Sequence, residues 1–183
     1  MKILQYLFIS LSHKILKILP YRLIRLLSVP IGTLYFLLTF RSSIKLFKRR
    51  KIFEKLKINY KPLIVKINYT RYWLETLWLT NKNFSKHITP HVEIENQEYV
   101  DKLKKQYPGL IFALPHLGNW EFAIPIGNSI KLNLLAVAEP LSNSYVLNWF
   151  KTLRESLGIE IIIGGKGQNT FCLLYTSDAA DDP

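Results

Sequence analysis

Cysteine, acid and long apolar runs are what this sequence has least of. Cys172 is its one cysteine, so no internal disulfide can form and nothing calls for an oxidising compartment. Glycine and proline number 8 and 9 in 183 residues, with no period, which excludes collagen-like and low-complexity chains. Charged residues make up 21% against 49% hydrophobic ones, so a disordered chain is excluded too. The length suffices for one domain of ordinary size and falls short of two well-developed ones. Acid is scarcest at the start: through Lys61 the one carboxylate is Glu54, among 14 Lys and Arg.

What stands there instead is a basic, apolar N-terminal third ahead of a nearly neutral remainder, and it carries essentially all of the +12 net charge. Such asymmetry points to nucleic acid or an anionic membrane surface. Leu4, Leu7, Phe8, Leu11, Ile15 and Ile18 recur at helical spacing, while Ser10, His13, Lys14 and Lys17 form another stripe. Leu26 to Phe40 holds no charge for 15 residues and is bracketed by Arg25 and Arg41. At helical rise that covers about 22 Å, short of the bilayer core, so an interfacial or re-entrant segment fits better than a span. Lys48-Arg49-Arg50-Lys51 follow, then Lys55 and Lys57, where anionic lipid would attract them. Nucleic-acid binding would leave the apolar stretches without a role, and a cleaved signal peptide conflicts with Lys14 and Lys17. The plain alternative is a pair of helices packed on the domain with a solvated charged face. Attachment to a membrane surface is the expectation.

The remainder changes character by steps. Tyr69, Tyr72, Trp73, Thr76 and Leu77 share one face of an expected helix, with Leu74 and Trp78 beside it. His87 and His91 have Pro90 between them and no third ligand, so no metal site is expected. Leu110 to Leu114 reads as a buried strand, Asn119 to Ile130 as a helix and Leu132 to Ala138 as a second strand. Ser144 to Leu157 reads as a helix with Val146, Phe150, Leu153 and Leu157 on its apolar face and Gly158 as its stop; Ile159 to Ile163 is a third strand. The order predicts an α/β fold: an N-terminal helical membrane-associating region, then a βαβαβ portion of a helix-covered, largely parallel sheet. The expected regions are 1–41 (membrane-associating), 42–90 (basic and aromatic helical), 91–171 (partial catalytic α/β) and 172–183 (an atypical tail).

Ligands of parallel sheets bind outside the carboxyl ends of the strands. The topology brings His116, Glu139 and Gly164-Gly165 to that rim. In Pro115-His116-Leu117-Gly118-Asn119-Trp120-Glu121, a tight turn at Gly118-Asn119 can return Glu121 to the His116 ring. A carboxylate on one imidazole nitrogen fixes the tautomer and leaves the other as a general base. No Gly-x-Ser-x-Gly elbow is present, so the base would act directly on a substrate hydroxyl. The Gly164-Gly165-Lys166-Gly167 run lacks phosphate-loop spacing and reads as a flexible rim loop.

The stretch "ALPHLGNWEFA" resembles the His-x4-Asp/Glu motif of the lysophospholipid acyltransferase superfamily, in the branch of lipid A biosynthesis acyltransferases and phosphatidylinositol mannoside acyltransferases. "RYWLE" at Arg71 to Glu75, "AVAEPL" with Glu139 and "LRESLG" with Arg154 are similar to flanking segments of that branch, in order, over roughly Ile44 to Phe171. The resemblance implies acyl transfer from acyl-CoA or acyl-carrier protein to a hydroxyl of a bacterial glycolipid, with no acyl-enzyme and no cofactor. His116 would be the base and Glu121 its orienter. Glu139 and Arg154 would help build the acceptor's polar site, with Asn119 beside them, though Asn119 also suits shaping the turn. Plain structural roles stay open: Arg154 could pair with Glu155, and Glu139 could cap a loop. The resemblance also implies anionic lipids as partners and a peripheral or monotopic place on the cytoplasmic face of the inner membrane. The family pattern runs on where "FCLLYTSDAADDP" stands, so a truncated chain with a non-native tail is expected. The rival expectation is a non-catalytic basic protein that binds lipid surfaces.

Overall fold

A computed structural model describes residues 1–40, 55, 61–107, 109–115 and 117–164. The Lys48 to Lys51 cluster, His116, Gly165 to Gly167 and the 172–183 tail lie outside the described residues. The chain divides into two compact units, one of residues 11–81 and one of residues 1–10 and 82–183.

The first unit is built on α2 (Tyr21–Leu38) and α3 (Pro62–Trp78), joined at its start by the latter part of α1 (Lys2–Leu16). Proline placement sets the boundaries: Pro20 caps α2 in extended conformation, and Pro62 opens α3, where its missing N–H costs no helical hydrogen bond. The buried stripe of α2 is Ile24, Ser28 and Gly32, four residues apart and small at two of three positions. Opposite them α3 buries Thr70, Leu74, Leu77 and Trp78. A Cβ on Gly32 would stand 2.6 Å from the Ile67 Cα, so only glycine lets the two backbones approach this closely. Of the expected aromatic face, Thr76 and Leu77 are buried together with the flanking Leu74 and Trp78, whereas Tyr69 is half exposed and stacks on Tyr35 of α2 with ring centroids 6.3 Å apart. Trp78 is fully buried and its indole N–H donates to the Leu19 carbonyl at 2.8 Å.

By length and composition alone α2 is the one helix among the described residues suited to cross a membrane, with 17% of it buried. Its 18 residues make about 27 Å of helix. Leu26, Val29, Leu34, Leu37 and Leu38 are exposed along it, as are Leu4, Leu7, Phe8, Leu11 and Ile15 along α1.

The second unit holds α4 (Phe84–His87), a 3-10 turn at Thr89–His91, α5 (Gln97–Gln106), a 3-10 turn at Trp120–Phe122, α6 (Ala123–Ser129), β1 (Leu134–Ala138), α7 (Ser144–Ser156) and β2 (Ile159–Ile163). The strands pair in parallel, Leu134 against Ile159 through Ala138 against Ile163, with α7 as the crossover. Ile124, Ile159 and Ile161 form the core, flanked by Leu134, Ala136, Leu157 and Ile163. The expected stop at Gly158 is present with φ +90°, and a Cβ there would strike the Asn128 side chain at 2.5 Å. At the head of α7 the Asn143 side chain accepts from the Tyr145 N–H at 3.2 Å and donates to the Lys2 carbonyl at 3.0 Å.

One expected strand is corrected. Leu110 to Leu114 forms no strand, and Ile111 is fully exposed. A strand exists only through a laddered neighbour, and among the described residues no chain pairs with this segment. The observed sheet is thus a parallel βαβ pair, narrower than the βαβαβ expectation.

Candidate active site

The segment from Leu117 to Phe122 folds as its residue types dictate. Gly118 sits at φ +62°, a left-handed position that favours glycine. Asn119 then caps the 3-10 turn, its side-chain oxygen accepting from the Glu121 N–H at 3.2 Å. This short cap turns the Glu121 side chain into the protein, where it is fully buried.

A buried carboxylate needs countercharge and donors, and Arg154 of α7 supplies both. Its Nη2 donates to Oε1 of Glu121 at 2.6 Å and its Nε to Oε2 at 3.1 Å, a two-pronged fork. The guanidinium lies 5.0 Å from the Trp120 ring centroid and 5.4 Å from that of Phe150. Aromatic faces on a planar cation hold it in the orientation that the fork requires. Phe122 is fixed in turn by Phe84, with ring centroids 5.5 Å apart. Trp120, Glu121 and Phe122 are thus locked to two helices by three different kinds of contact.

Of the residues singled out in the sequence, Glu121, Asn119 and Arg154 are brought together. Asn119 shapes the turn, as its position suggested. Arg154 does not pair with its neighbour Glu155, which takes Lys151 at 3.6 Å instead. Glu139 is exposed just past β1, where the Gly164 N–H donates to the Ala138 carbonyl at 2.9 Å and extends the ladder by one bond. Glu139 and Gly164 therefore share the carboxyl edge, as expected. No contact among the described residues joins Glu139 to Glu121 or Arg154. Sequence reasoning missed the Glu121–Arg154 fork and the roles of Trp120 and Phe150 around it; no local signal marks a pair 33 residues apart.

Together these features define an α/β protein with a buried, arginine-paired carboxylate in a capped turn and, among the described residues, a two-stranded parallel sheet. The chain belongs to the bacterial lipid A biosynthesis acyltransferase family, whose sequence model matches residues 1–175. No curated protein and no solved structure matches it.

Proposed function

We propose that this chain transfers a fatty acyl group from a thioester donor, acyl-CoA or acyl-carrier protein, to a hydroxyl of a bacterial glycolipid. The family membership supports acyl transfer in general. The observation that carries the mechanism is the fully buried Glu121 carboxylate, five residues after His116 in a turn rigidified by the Asn119 cap and the Arg154 fork. A carboxylate has about four lone-pair directions, so the fork leaves capacity for an imidazole N–H.

In this reading Glu121 holds the His116 tautomer, and the free ring nitrogen takes the acceptor's hydroxyl proton. The oxygen attacks the thioester carbonyl, the tetrahedral intermediate collapses, and the departing thiolate receives the proton back from His116. Bond made is the ester; bond broken is the thioester. Glu139 and Arg154 serve the polar side of the acceptor, with Arg154 acting through its hold on Glu121. In this reading the enzyme works on the cytoplasmic face of an anionic membrane, which the exposed apolar faces of α1 and α2 and the basic Lys48-Arg49-Arg50-Lys51 sequence support.

The test is His116→Ala in the full chain, assayed for acyl transfer and for vesicle binding. Transfer should fall by about 100-fold or more, the range of a lost general base, while vesicle binding is unchanged. Turnover at the unaltered rate would remove the mechanism.

A further inference from the structure

A second buried carboxylate lies in the helical unit. Glu75 of α3 is 6% exposed and accepts the Tyr21 hydroxyl hydrogen bond at 3.0 Å. Burial first, and then the Glu75 charge, push the Tyr21 phenol up to about 12, so it stays a hydrogen-bond donor at any physiological pH. One helical turn from each of these residues stands an arginine: Arg25 after Tyr21 on α2, and Arg71 before Glu75 on α3. The charges of Arg25 and Arg71 oppose that rise, and the Tyr21–Glu75 hydrogen bond joins the two helices one turn from each arginine. The Arg25 guanidinium carbon is 6.0 Å from the Tyr21 ring centroid. The Arg71 Nε is buried and has no hydrogen-bond acceptor among the described residues. A buried guanidinium N–H without an acceptor is costly, and any anion that fills the position recovers that cost.

The setting selects the anion. These four side chains sit at the end of the hairpin where α2 begins and α3 finishes. Further along, the hairpin exposes Leu26, Val29, Leu34 and Leu37 on α2 and Ile64 on α3. Cationic groups at one end and an exposed apolar flank beyond match the order of head group and acyl chain in a lipid. Among these four side chains guanidiniums outnumber carboxylates, and a phosphodiester brings one negative charge. Guanidinium N–H groups fit phosphate oxygens in a way that ammonium groups do not.

We propose that Arg25 and Arg71 bind the phosphodiester head group of an anionic membrane lipid, with Tyr21 and Glu75 as positioning residues. The site rests on the membrane-surface reading and adds to it a discrete, saturable contact.

The experiment uses the full chain and dihexanoyl phosphatidylglycerol below its micellar concentration, so that binding requires no membrane. Arg71→Gln and Arg71→Lys should each weaken binding by about tenfold or more, since the lysine keeps charge but has no Nε–H donor. The Lys14→Gln/Lys17→Gln double variant, which removes two charges from the same unit, should change it by less than about twofold. On the unaltered chain the Arg71 Nε–H resonance should shift saturably with the lipid, a readout that stands even where a variant fails to fold. An unmoved resonance at saturating lipid, or equal losses in the lysine control, would overturn the site. Inorganic phosphate competing as well as the lipid would overturn the lipid assignment. Vesicles of phosphatidylcholine and phosphatidylglycerol separate the two levels: a chain that ignores them refutes membrane attachment, whereas vesicle binding with a silent Arg71 refutes this site alone.

Discussion

In the helical unit, α2 and α3 close on each other backbone to backbone, at Gly32 and Ile67, whereas in the sheet-bearing unit side chains tie α7 and its end to the segments ahead of β1. There Arg154 reaches across to Glu121, and the Asn128 amide reaches the Leu157 carbonyl. Each unit also buries a glutamate, and the partners described for the two differ. Glu121 faces a guanidinium that uses two donors on it; Glu75 takes a tyrosine hydroxyl while a neighbouring guanidinium nitrogen stays unmatched. A carboxylate held by a fork is fixed in position, which suits an orienting role. In the proposed head-group site Glu75, with the Tyr21 hydroxyl on it, positions its neighbours. The same residue type thus serves rigidity in one unit and recognition in the other.

Removing Arg154 breaks that contrast most severely. Arg154→Ala strips the buried Glu121 of its forked countercharge and should cost about 3–5 kcal/mol of stability, read as a lower denaturant midpoint. The double variant Glu121→Leu/Arg154→Met removes both charges at similar volume and should recover most of that loss, because the desolvation burden goes with them. It should remain without acyl transfer. A double variant that is stable and fully active would mean that Glu121 serves packing alone.

Gly32→Val tests the other unit by steric means. The nearest atom to the new Cβ is backbone, the Ile67 Cα at 2.6 Å, so no side chain can swing aside and the helices must separate. Overpacking of this kind costs about 1–3 kcal/mol. The loss should appear in thermal unfolding and leave the Glu121–Arg154 centre untouched. A midpoint equal to that of the unaltered chain would show that α2 and α3 are not packed at this distance.

Much of this arrangement was legible in the sequence, for reasons that differ by element. β2, α7 and its stop at Gly158 followed from an apolar run, a helical stripe and a residue that tolerates positive φ, all local signals. Leu110 to Leu114 has the same apolar composition as β2, yet a strand depends on a partner that composition does not supply. The stripe on α3 was readable at Thr76 and Leu77 with Leu74 and Trp78 beside them, whereas Tyr69, whose aromatic ring suggested core, is half exposed. The turn at Gly118-Asn119 was readable from residue type. The Arg154 fork was not, since Glu155 lies next to Arg154 in the chain and Glu121 does not. His116, the candidate base itself, lies outside the described residues and stands on the sequence alone.

The smallest expected effect concerns acid. His13 of α1 has Nδ1 2.9 Å from the Leu77 carbonyl and Nε2 3.4 Å from the Thr80 hydroxyl. Burial is the main force that lowers its pKa from 6.5, and the Lys17 charge adds to it, while the Leu77 hydrogen bond opposes them. The folded unit therefore prefers the neutral ring. That preference contributes stability above pH 6.5, and the contribution is lost as pH falls below 6.5 towards the depressed folded value. Denaturant midpoints at pH 7.5 and 5.5 should accordingly fall further for the unaltered chain than for His13→Gln, which cannot titrate. Because the ring is only partly buried, the difference should be modest. The Arg154→Ala variant should show the same His13 increment, since its defect is in the other unit. Equal slopes with and without His13 would mean that the ring is hydrated and contributes nothing to the closure of α1 on this unit.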